Sequence, residues 1–107
     1  MHLPLPIERY FEADNRGDAE RLLVAFAPDA MVKDEGVTYR GHSEIASWWR
    51  KAKAKYQHSA APLHAEGEGA ATKVRATLTG KFPGSPAVLT FAFDLEGDRI
   101  TRLEIGA

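Results

Sequence analysis

The chain has 107 residues, 44% hydrophobic and 27% charged, which suits one packed domain and excludes both disorder and a second core. Its 14 basic and 15 acidic residues nearly cancel, so it carries no electrostatic footprint for nucleic acid or an anionic membrane. Cysteine is absent, which excludes disulfides, zinc–thiolate sites and a thiol nucleophile.

Met1 to Arg9 lacks a basic region followed by an apolar run, and no apolar stretch approaches the ~20 residues that span a bilayer. The expectation is a cytoplasmic protein with no membrane segment. Pro4 and Pro6 suit the lead-in and first turn of a helix, which should run from about Pro6 to Asn15 and stop at Arg16-Gly17. At ~100° per residue, Ile7, Tyr10, Phe11 and Asp14 share one face. Two members of that stripe are polar at their tips, a hint of a wet or functional interior.

Asp18 suits the N-cap of a second helix, Ala19 to Phe26, with Leu22, Leu23 and Phe26 buried and Pro28-Asp29 ending it. Ala30 to Asp34 reads as a short strand and Glu35-Gly36 as the turn after it. Alternation sets Ala30, Val32 and Asp34 on one side, with Met31, Lys33 and Glu35 on the other. Asp34 thus keeps apolar company, and Glu35 is left to the turn.

His42-Ser43 opens a third helix to about Ala54 or Tyr56, with Ile45, Trp48, Trp49, Ala52 and Tyr56 on its apolar face. Arg50, Lys51, Lys53 and Lys55 scatter over the remaining surface and read as a solvated face. Four strand candidates follow: Ser59–Glu66, Thr72–Phe82, Ala87–Leu95 and Arg99–Ile105. Gly67-Glu68-Gly69, Pro83-Gly84-Ser85-Pro86 and Glu96-Gly97-Asp98 separate them as antiparallel neighbours. Helices first and a meander afterwards make an α+β architecture. Both faces of Ala87–Phe93 are largely apolar, with Leu89, Phe91 and Phe93 on one and Val88 and Ala92 on the other. Helices cover one face; a homodimer packed through the other is the economical expectation.

Asp34 is the sharpest chemical candidate, because a carboxylate on an apolar sheet face is desolvated toward the range of a general base. It also suits a turn or cap. A buried Tyr10 hydroxyl can stabilise an oxyanion or simply find a backbone partner. Asp14 is either a second pocket acid or a helix-end acceptor. Trp48, Trp49 and Tyr56 divide between core and ligand platform, and Tyr39 between pocket cover and packing. His58 is an open acid–base partner; with His64 it lacks a third ligand at metal spacing, so no metal is expected. No glycine-rich phosphate loop or nucleophile elbow occurs, so no cofactor and no covalent step are expected.

Tyr10 to Asp18 reads Y-F-E-A-D-N-R-G-D and Leu22 to Asp34 reads L-L-V-A-F-A-P-D-A-M-V-K-D, while Phe82–Phe93 reads F-P-G-S-P-A-V-L-T-F-A-F and Arg99–Ile105 reads R-I-T-R-L-E-I. These stretches resemble the nuclear transport factor 2-like superfamily, and within it the SnoaL-like group related to polyketide cyclases. The resemblance implies three N-terminal helices on a strongly curved mixed sheet, forming a cone with an internal cavity. It also implies dimers through the outer sheet face. In the ketosteroid isomerase branch, a first-helix tyrosine is the oxyanion donor and an aspartate closing the first short strand is the base; Tyr10 and Asp34 match those positions. Leu89 stands where that branch has a protonated acid. The implied chemistry is cofactor-independent isomerase, cyclase or lyase action on a hydrophobic carbonyl compound, by proton abstraction. A non-catalytic binder of a hydrophobic small molecule and a dimeric interaction module are the alternatives.

Overall fold

A computed structural model describes residues 2–68 and 70–107, the side chain of Glu68 excepted. Gly69, the last residue of one expected separator, lies outside the described residues. Helix α1, Leu5–Arg16, begins where Pro4 accepts from the N–H groups of Ile7 and Glu8, both at 3.0 Å. It ends at Gly17, whose positive φ of 69° lets the Gly17 and Asp18 N–H groups turn back onto Asp14 and Ala13. Helix α2, Ala19–Val24, is capped by Asp18, whose Oδ1 accepts from the Arg21 N–H at 3.1 Å.

Strand β1, Phe26–Asp34, begins four residues earlier than the alternation suggests, and Phe26 belongs to it rather than to α2. Pro28 explains the difference: it disfavours helical backbone at Ala27, so the chain is already extended there. Proline also interrupts pairing, and the register shifts between Phe26 and Met31. Glu35 and Gly36 both have positive φ, 52° and 78°, the two-residue turn that matches strand twist. That turn returns the chain as β2, Val37–Arg40, a four-residue strand the sequence reading left out.

Helix α3, Gly41–Tyr56, starts with the Glu44 carboxylate accepting from the Arg40 N–H at 3.0 Å, and ends at Gln57 in a left-handed cap. Strands β3 (Ser59–Glu68), β4 (Ala71–Thr79), β5 (Ala87–Glu96) and β6 (Arg99–Gly106) complete the sheet in the order β2-β1-β6-β5-β4-β3. Only β1 and β6 run parallel, so the sheet is mixed. Alternation along β4 identifies the covered face: Thr72, Val74 and Ala76 are buried, whereas Lys73 and Arg75 are exposed. The three helices pack on that concave side.

Two features fix helix ends against neighbouring segments. Asn15 accepts from the Ala60 N–H at 2.8 Å and donates to the Ala60 carbonyl at 2.9 Å, tying the end of α1 to β3. Strand β4 stops at Thr79 rather than Phe82, because the chain next presses against the end of α3. A Cβ on Gly80 would lie 2.6 Å from the Tyr56 carbonyl oxygen. Lys81 N–H donates to that same oxygen, which carries Phe82 and Pro83 to the rim. Among the described residues, no helix is long and apolar enough to cross a membrane.

Candidate functional site

A cavity of about 430 Å³ lies between the inner faces of α1 and α3 and the concave sheet. Tyr10 and Asp14, one helical turn apart on α1, both reach it and are each only 2% exposed. Edge-on contacts with Phe11, Phe26 and Phe93, at 5.2, 5.8 and 5.6 Å between ring centres, hold the Tyr10 ring. Among the described residues its hydroxyl has no hydrogen-bond partner, and it is not sealed in protein. Burial, then the charges of Asp14 and Asp34, push the phenol well above its ordinary value. Tyr10 is therefore a standing hydrogen-bond donor.

Asp34 ends β1 on the side of Ala30 and Val32, as alternation requires, and lines the same cavity. Trp48 on α3 donates its indole N–H to Asp34 Oδ2 at 3.0 Å. Burial raises the Asp34 carboxyl above its ordinary value and the adjacent Glu35 charge adds to this; the Trp48 hydrogen bond and the His58 charge oppose without prevailing.

The neighbouring Trp49 serves the other acid, donating to Asp14 Oδ1 at 2.8 Å. Lys53 Nζ at 3.2 Å and His58 Nε2 at 3.3 Å meet the same oxygen. Burial opposes the charge on Asp14, but the hydrogen bonds from His58 and Trp49 and the charges of His58 and Lys53 outweigh it. Its carboxyl is held below the ordinary value. Consecutive indoles of α3 thus serve two acids of opposite tuning: Asp14 on α1, held below its ordinary value, and Asp34 on β1, raised above it.

Lys53 corrects the sequence reading. Its charge reads as part of a solvated face, yet its ammonium turns inward, also donating to the His58 carbonyl at 2.6 Å. One helical turn after Trp49, it follows the indole toward Asp14. Trp48, Trp49, Tyr56, His58 and Leu89 all line the cavity. Tyr39 does not; it packs 6.1 Å from Trp48 in a tilted arrangement and lines a smaller depression of about 170 Å³ that shares Asp34, Trp48 and Tyr56 with the cavity. Glu35, read as a turn residue alone, also borders the cavity and accepts from the Tyr56 hydroxyl at 3.4 Å. His64 is exposed, separated from His58 by a register shift between Pro62 and His64. Leu78, Phe82 and Ile105 add apolar wall that the sequence reading did not name. Strand parity could have found Leu78 and Ile105; Phe82 depends on the Gly80 contact.

The family model for the SnoaL-like domain matches residues 7–103. The chain belongs to this SnoaL-like family. Among solved structures, a candidate polyketide cyclase from Sinorhizobium meliloti is 44% identical, with 96% of this chain and 94% of that one covered and a TM-score of 0.93. A Catenulispora acidiphila protein with a ketosteroid isomerase-like fold, in complex with trimethylamine, is 19% identical over 99% and 87% of the two chains, with a TM-score of 0.86. A cystatin-fold protein from Novosphingobium aromaticivorans is 21% identical over 95% of each chain, at a TM-score of 0.79. The last two share the fold alone. No curated protein sequence matches the chain. For this SnoaL-like chain, the three helices on a curved six-stranded mixed sheet are thus the family's architecture.

Proposed function

We propose that the cavity binds a hydrophobic carbonyl compound and catalyses proton removal beside the carbonyl, with no cofactor. The Asp34 carboxylate takes the proton from the carbon next to the carbonyl. The C–H electron pair becomes the enolate double bond, and the carbonyl oxygen gains negative charge. Tyr10 donates a hydrogen bond to that oxygen. Return of the proton at a different carbon gives an isomer; attack of the enolate carbon on a second carbonyl closes a ring. The observation that carries this reading is that an unpartnered phenol and a carboxylate of raised proton affinity line one apolar cavity. The 44% identity to a candidate polyketide cyclase supports the same class of chemistry.

Leu89 favours a second reading. It lines the cavity where an additional oxyanion donor would stand, so the wall offers hydrocarbon there. A carrier of a hydrophobic ligand needs no second donor. Acetophenone in deuterated water separates the two: the enzyme exchanges its methyl protons, and Asp34→Asn slows this by about 10²–10⁴-fold. Unchanged exchange removes Asp34 as base; saturable binding without exchange favours the carrier.

We also propose that two copies pair through the outer sheet face. Val88 there is 41% exposed, beside the half-buried Thr90 and Ala92. Light scattering tests this, and a monomer at micromolar concentration rejects it.

A further inference from the structure

Asp14 does more than anchor Trp49. All three of its side-chain partners, Trp49, Lys53 and His58, meet one oxygen, Oδ1. Among the described residues Oδ2 has no partner, although the residue is only 2% exposed. His58 Nδ1 is the one enclosed side-chain polar atom without a partner there, so Asp14 Oδ2 is not sealed in protein. Asp14 borders the main cavity, so the open space beside Oδ2 is the cavity itself. A carboxylate oxygen is an acceptor only, and a desolvated one strongly favours a donor. We propose that Asp14 recognises a hydroxyl group of the ligand, so that the cavity selects hydroxylated carbonyl compounds over purely hydrophobic ketones.

The remaining geometry narrows the class. Lys53 already balances the Asp14 charge at 3.2 Å, so a neutral O–H fits better than a second cation. Tyr10 and Asp14 sit one helical turn apart, which puts their side chains roughly 5–6 Å from each other at Cβ. One presents a donor and the other an acceptor. The complementary ligand carries both an acceptor and a donor: a carbonyl for Tyr10, a hydroxyl for Asp14. An aryl ketone with a meta hydroxyl has this pattern.

This rests on the carbonyl-binding reading above, but its test is separate from the catalytic one. Dissociation constants of acetophenone, meta-hydroxyacetophenone and meta-methoxyacetophenone for the intact wild-type protein are measured by NMR titration. The hydroxy compound is expected to bind about tenfold or more tightly than the methoxy compound, the scale of a hydrogen bond to a charged group. Asp14→Asn should present an amide N–H₂ to the cavity and bring that ratio to one or below. Equal or reversed affinities in the wild type overturn the inference, whether or not the variant folds. Proton exchange on acetophenone without a hydroxyl preference sinks this inference alone. A hydroxyl preference without exchange sinks only the catalytic reading, and failure of all three compounds to bind overturns both.

Discussion

Trp48 donates its indole N–H to Asp34 Oδ2 across 3.0 Å, and this bond restrains how far burial raises the carboxyl. A hydrogen bond to the ionised form favours ionisation, so removing the donor raises the proton affinity further. Trp48→Phe should therefore move the acid limb of the activity profile to higher pH, because the base works only when deprotonated. A pH–rate profile of acetophenone exchange checks this; a limb that stays or moves to lower pH contradicts it.

Asp34 should also weaken the fold that holds it. Its raised carboxyl binds protons more tightly in the folded than the unfolded chain, so stability falls as pH rises through the ordinary carboxylate value toward the folded one. The loss is complete once the pH exceeds the folded value. Asp34→Asn is expected to leave the melting temperature unchanged or a few degrees higher at pH 7, while proton exchange is lost. Calorimetry of both proteins at pH 4 and pH 7 measures it; a marked destabilisation would mean that the carboxylate has a structural role.

Asp14 has the opposite sign. Its depressed carboxyl contributes stability that is fully present above the ordinary value and is lost as pH falls through the folded one. Asp14→Asn leaves Lys53 facing a neutral amide and should cost about 3 kcal/mol at neutral pH. As pH falls below the ordinary carboxylate value and through the depressed folded one, protonation of Asp14 removes the same charge and the two proteins should converge. Urea titrations across that range report the difference directly.

Asn15 closes both backbone groups of Ala60, so Asn15→Ala leaves a donor and an acceptor unpaired where α1 meets β3. The expected cost is about 1–3 kcal/mol. Hydrogen exchange at the Ala60 amide should accelerate more than at the centre of β4. Uniform acceleration across the sheet would place the loss in global stability instead.

Most of the helical frame was legible because it is written locally. Pro4, Asp18 and Gly17 mark ends by their own backbone chemistry, and the Ile7–Tyr10–Phe11–Asp14 stripe needs only the helical period. Asp34 was separated from Glu35 by strand alternation alone. Strand β2 was missed because four residues, with Val37 half exposed, hold too little pattern to stand out. Phe26 was assigned to the helix because its burial fits either element; Pro28 decides, through the residue before it. Lys53 was illegible for a different reason. Its charge reads as surface until Asp14 and His58, from other elements, are known to meet it. Partnerships of that kind belong to the tertiary structure, and so does the wall contributed by Phe82.

Trp48 and Trp49 are consecutive, yet each indole is assigned to a different acid, one on β1 and one on α1. Helical spacing turns successive residues by ~100°, and α3 converts that rotation into two separate addresses. A single-residue insertion or deletion in α3 upstream of Trp48 would turn both indoles away at once, whereas a point substitution affects one. In the descent of this chain the two pairings are consequently inherited as a unit with respect to changes of length, and are separable only by changes of residue. Relatives that keep one acid–indole pair and lack the other should therefore differ by substitution, with the length between the start of α3 and the tryptophan positions conserved.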